Sequence, residues 1–72
     1  MSTGRLPEAE LAAERDRLTE QLALMQSELG GLFYEMAIRD HLQLDLLVER
    51  AAAMQGVETE LREIEERLAR ST

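Results

Sequence analysis

Neither cysteine nor lysine occurs in this sequence of 72 residues. Without cysteine there is no disulfide and no thiolate metal site to brace a small domain. Chains this short bury little surface per residue and usually need such a brace or a partner chain. Assembly with other chains is the route left open. Without lysine, positive charge rests on eight arginines, set against 15 acidic residues for a net charge of −7. Scattered arginine on an acidic chain does not make the concentrated positive surface that a nucleic-acid backbone requires. No apolar run approaches the ~20 residues of a membrane span, and no apolar signal core follows Met1 to Arg5. Helices that lie on membranes carry Lys or Arg on the polar face, whereas this chain is acidic there. These absences predict a cytoplasmic protein with neither a nucleic-acid nor a membrane partner.

Catalytic and metal chemistry is equally thin. His41 is the single histidine. Asp40 and Asp45 are its near neighbours, but no four-ligand zinc pattern and no Glu-x-x-His pair accompanies them. The bland reading, an exposed turn histidine, is preferred. Acid–base catalysis needs carboxylates in unlike environments, while Glu58, Glu60, Glu63, Glu65 and Glu66 read as one solvated helix face, partly paired with Arg62 and Arg67. The Gly30-Gly31 pair lacks the lysine and the strand of a phosphate loop. No base is placed beside Ser2, Ser27 or Ser71. A non-enzymatic protein without cofactor or metal is expected.

What is present is helix-forming sequence with a strict period. Pro7 suits a first helical position, and Glu8 and Glu10 complement the exposed N–H groups of a first turn. Leu11, Leu18, Met25 and Leu32 fall seven apart, and Leu22, Leu29 and Met36 form a second series, the alternation of a coiled-coil seam. Arg15 is its polar exception. A second seam runs through Leu47, Met54, Leu61 and Leu68, with Val57 and Ile64 between and Arg50 as its exception. Arg62, Arg67 and Arg70 lie toward a helix C-terminus.

Gly30 and Gly31 interrupt this composition without shifting the phase of the seam, so they are assigned to the helix interior, at a cost of ~2 kcal/mol together relative to alanine. Such a cost suggests a use. With no side chain they let another backbone come close, and Ala51-Ala52-Ala53 offers a matching patch. Gly31→Leu is then expected to disrupt packing.

The first helix is expected to stop near Arg39-Asp40, where Asp40 and Gln43 resemble a capping box for the second. Folding back there opposes residues whose numbers total about 83, so that Met36 meets Leu47, Leu29 meets Met54 and Leu22 meets Leu61. Gly30 and Gly31 fall level with Ala53 and Ala52. The competing architecture is one unbroken helix with a stutter, about 95 Å long at 1.5 Å per residue. The cap and the poor helix formers at 40 and 41 favour the hairpin.

Around the bend the apolar residues exceed one stripe per helix. Leu42, Leu44, Leu46, Leu47, Val48 and Ala51 to Ala53 surround nearly the whole helix, while Phe33 and Ala37 widen the first helix's face and Tyr34 and Ile38 flank it. A helix apolar all round must be covered on more than one side. The candidate interface is therefore Phe33, Met36, Ala37, Leu42, Leu44, Leu46, Leu47, Val48, Ala51 and Met54. Gly30, Gly31, Ala52 and Ala53 permit close approach, within the hairpin or between chains.

The stretch ELGGLFYEMAIRDHLQLDLLVERAAAMQGVETELREIEERL resembles a bacterial family of small helical-hairpin proteins, through Leu29-Gly30, Tyr34-Glu35 and Asp40. The likeness covers about residues 20–68. Many members carry a C-terminal zinc ribbon; this sequence has no ribbon cysteines, so no metal function carries over. The resemblance implies the hairpin and supplies no activity.

The expected protein is all-α: an antiparallel two-helix hairpin, a coiled coil, associating into a helix bundle. Residues 1–6 form a disordered lead, and a hairpin over 7–70 has helices 7–39 and 42–70 around a turn at 39–42. Its expected role is structural or adaptor, by homo-oligomerisation. The alternative is a small regulatory protein that captures a partner helix in an apolar groove.

Overall fold

The computed structural model describes residues 8–71. The expected disordered lead at 1–6 and the placement of Pro7 lie outside the described residues. Two helices account for nearly all the rest, α1 (Glu8–Ile38) and α2 (Leu44–Arg70). They pack against each other as an antiparallel hairpin with principal extents of 57 × 17 × 17 Å. A single unbroken helix would reach about 95 Å. The hairpin is the fold.

The seam residues make it. Leu11, Leu18 and Met36 of α1 and Val57 of α2 are buried. Leu22, Met25, Leu29 and Leu32 are half-buried, as are Leu47, Met54, Leu61, Ile64 and Leu68. Each is a heptad position, and the stripe faces the partner helix because a 3.5-residue repeat keeps it there. The two polar exceptions behave differently. Arg15 is partly covered and pairs with Asp16 at 3.1 Å, whereas Arg50 is exposed.

The turn differs from the expected capping box. Asp40 adopts φ 54, the left-handed region. The His41 N–H donates to Met36 O at 2.9 Å and the Asp40 N–H to Ala37 O at 3.2 Å. This is a Schellman closure of α1, with Asp40 as the left-handed residue just past its end. Aspartate tolerates that conformation better than most residues, so Asp40 terminates the first helix and does not cap the second. The N-cap of α2 is Gln43, which makes no side-chain cap bond. The second helix starts at Leu44, later than the expected 42, and Leu42 sits in the connection.

The bend and the open end both fit the antiparallel pairing: α1 ends at Ile38 and α2 begins at Leu44, and Ser71 Oγ lies 3.3 Å from Glu8 Oε2 at the other end. Glu60 bears electrostatically on Arg17 across the hairpin.

Candidate interaction surface

Seven large apolar side chains stand between 56% and 65% exposed: Leu24, Phe33, Tyr34, Ile38, Leu42, Leu44 and Val48. All but Leu24 lie within the tip half of the hairpin. For the six on helices the exposure follows from geometry, since a helix in a two-helix hairpin has one covered face and they lie off it; Leu42 is in the connection.

Between the helices, on one side, runs an open groove of about 570 Å³ lined by Gln26, Leu29, Gly30 and Phe33 of α1 and by Leu47, Val48 and Ala51 of α2. Gln26 is its one polar liner. A site that orients a small polar substrate needs several convergent polar groups, and this groove offers an apolar trough with a single amide.

The expected interface residues divide into three groups. Phe33, Ala37, Leu42, Leu44, Val48 and Ala51 are exposed. Leu46, Leu47 and Met54 are half-buried, the last two at seam positions. Met36 is a correction: only 7% exposed, it is core of the hairpin and is not available to a second chain. Its heptad position already demanded that.

The close-packing assignment also changes. A Cβ built on Gly30 or Gly31 meets nothing within 4 Å, and Ala52 and Ala53 are exposed. None of the four brings α1 and α2 together, because the glycines point off the seam. The expected disruption by Gly31→Leu therefore has no basis within one chain. Two features escaped the sequence reading. Leu24 is an off-seam leucine whose neighbour Met25 carries the heptad, and Gly56 is a third helix-interior glycine with open space around it. Both were visible as exceptions to the period.

Charge is concentrated toward the open end. Arg17 bonds Glu14 through two nitrogens, at 2.7 and 2.9 Å. That hydrogen bonding holds the Glu14 carboxyl below the usual glutamate range, with desolvation opposing the effect. The same bond to Glu14, helped by the nearby charges of Glu14 and Glu60, raises Arg17. Among the described residues the ion pairs are Arg15–Asp16 and Arg17–Glu14. The expected pairing of Arg62 and Arg67 with the glutamates of their own helix is not formed. Exposed pairs of this kind contribute little to stability. His41 is exposed, its Nε2 3.3 Å from the Gln43 side-chain nitrogen. Among the described residues, no group of three or more His, Cys, Asp or Glu is placed to hold a metal ion. No helix there is long and apolar enough to cross a membrane.

No family model matches this chain, and no curated protein or solved structure is similar to it.

Proposed function

We propose that this protein is a non-enzymatic structural or adaptor module of the cytoplasm that associates with itself through the tip half of its hairpin, forming a helix bundle. The observation that carries this reading is the exposed apolar cluster at the tip, with Phe33 56% and Val48 59% accessible. Apolar patches of that kind on small proteins mark contact surfaces, and covering the exposed part of such a Val or Phe is worth about half of the ~1.5–3 kcal/mol of full burial. The absence of lysine and the acidic surface argue against lipid or nucleic acid as what covers it. Kinship with the bacterial helical-hairpin proteins is part of the proposal, resting on Leu29-Gly30, Tyr34-Glu35 and Asp40.

The groove between Phe33 and Val48 favours one second reading, capture of an amphipathic partner helix by a regulatory protein. Light scattering with dilution separates the two. A homo-oligomer at low micromolar concentration supports self-association; a monomer that orders only with a partner supports capture. Val48→Glu puts an unpaired charge into the covered surface, where desolvation costs several kcal/mol, and should abolish assembly while leaving the hairpin helical. An unchanged mass for this variant would refute the tip as the contact.

A further inference from the structure

We propose that the hairpin opens from its bend: residues 26–54 part and lose helix locally while the two ends, residues 8–22 and 58–70, stay paired. This is a property of a single copy and holds whether or not the chain self-associates. Opening bares Leu32 and Met36 of α1 and Leu47 and Met54 of α2, which are buried or half-buried in the closed form. The seam then joins the apolar surface already exposed at the tip.

Hairpins ordinarily open from the other end. Chain ends fray, and a bend closed by a short connection costs less loop entropy than the long loop left when it opens. That penalty rises only with the logarithm of loop length. It therefore yields to a sizeable difference in packing and helix propensity, and both favour the ends here.

Packing is the first difference. Of the four buried side chains, Leu11 and Leu18 lie toward the open end and Val57 near the middle of α2, which leaves Met36 near the bend. The seam position Arg50 is exposed, a gap in the stripe within the tip. Its counterpart Arg15, toward the open end, is partly covered and pairs with Asp16.

Helix propensity is the second. Gly30 and Gly31 fall inside the opening span and Gly56 at its edge, whereas residues 8–22 and 58–70 contain no glycine. Glycine favours the unfolded chain over the helix. A Cβ added at any of the three meets nothing within 4 Å, so no close contact offsets that preference.

The helix ends differ in the same sense. At the open end Ser71 Oγ lies 3.0 Å from Leu68 O and 3.3 Å from Glu8 Oε2, joining the last turn of α2 to the first of α1. Arg67 and Arg70 in that last turn, and Glu8 and Glu10 in the first turn of α1, each complement the helix end they occupy. At the bend, α1 has no basic residue in its last turn and Gln43 makes no side-chain cap bond to α2. Asp40 is held at φ 54. The backbone closure of α1 and Asp45 in the first turn of α2 are what oppose opening there.

Amide hydrogen exchange of the dilute full chain, read by mass spectrometry, reports the order of opening. Segments 29–36 and 47–54 should exchange at least tenfold faster than segments 15–22 and 58–65, after correction for intrinsic rates. Leu18→Ala weakens packing that survives in the opened form. It should speed exchange in 58–65 at least tenfold and leave 29–36 within twofold of the wild type. Gly30→Ala combined with Gly31→Ala should slow exchange in 29–36 and 47–54 at least tenfold, with circular dichroism checking that the variant stays helical. Equal protection throughout, or better protection at the tip than at the ends, overturns the proposal. So does a Leu18→Ala chain in which 29–36 accelerates as much as 58–65, or a glycine variant whose tip exchanges unchanged. If Leu18→Ala fails to fold, the wild-type order and the glycine variant decide.

Discussion

Leu18→Ala is the sharpest probe of the hairpin itself. Leu18 is 1% exposed, the most deeply covered large side chain among the described residues. Truncating a buried leucine costs ~2–5 kcal/mol, the lower part of the range applying where neighbours can close on the space. Two helices with open flanks can close partly, so a loss of ~2–3 kcal/mol is expected. A chain of 72 residues has a total stability of roughly 4–11 kcal/mol, so this one change removes a large fraction of it. At 4–8 °C per kcal/mol for a domain of this size, the melting temperature should fall by ~10–20 °C. Leu24→Ala is the matched control: the same atoms are removed from a side chain 60% exposed, and a change within ~0.5 kcal/mol is expected. Thermal melting followed by circular dichroism reads both. Equal shifts for the two variants would refute the placement of the seam.

Gly31→Ala should stabilise the chain by up to ~1 kcal/mol, because it gains helix propensity and its Cβ meets nothing within 4 Å; a loss in denaturant titration would reveal an unseen neighbour. Asp40→Gly should gain ~0.5–1 kcal/mol by relieving the left-handed conformation, whereas Asp40→Val should lose stability, and equal melts for the pair would contradict the Schellman closure. Leu47→Glu should lose both assembly and some hairpin stability, since Leu47 is half-buried in the seam and also lines the groove; retention of oligomer mass on a sizing column would count against it. The Glu14 carboxyl is held low in the fold, so its contribution is present above the ordinary glutamate range and is lost as pH falls through the lowered value. The stability difference between wild type and Glu14→Gln should therefore be greatest at neutral pH and close under acid. A gap that widens under acid would reverse the sign.

Much of the fold was legible because a heptad repeated through Leu11, Leu18, Met25 and Leu32 admits few alternatives, and every residue in it is buried or half-buried. The exact register was less legible than the fold, because sliding one helix by a turn still sets apolar against apolar and Leu22 suits Val57 as readily as Leu61. Asp40 was ambiguous for a different reason. Aspartate suits both an N-cap and a left-handed residue, and backbone bonds to Met36 and Ala37 decided the matter. Gly30 and Gly31 could have been placed by phase alone, since residues off both seams cannot sit between the helices. Met36 was counted both as seam and as interface, although burial allows only the first. The exposed tip was legible as an excess of apolar residues. The groove was not, because it depends on which flank of α1 lies beside which flank of α2.

Sedimentation equilibrium of the full chain, from low to high micromolar, tests the central claim most directly. Self-association predicts a mass of twice 8.2 kDa or more that falls toward the monomer on dilution and drops out altogether for Val48→Glu. A constant 8.2 kDa throughout, with cooperative melting indifferent to concentration, would contradict it.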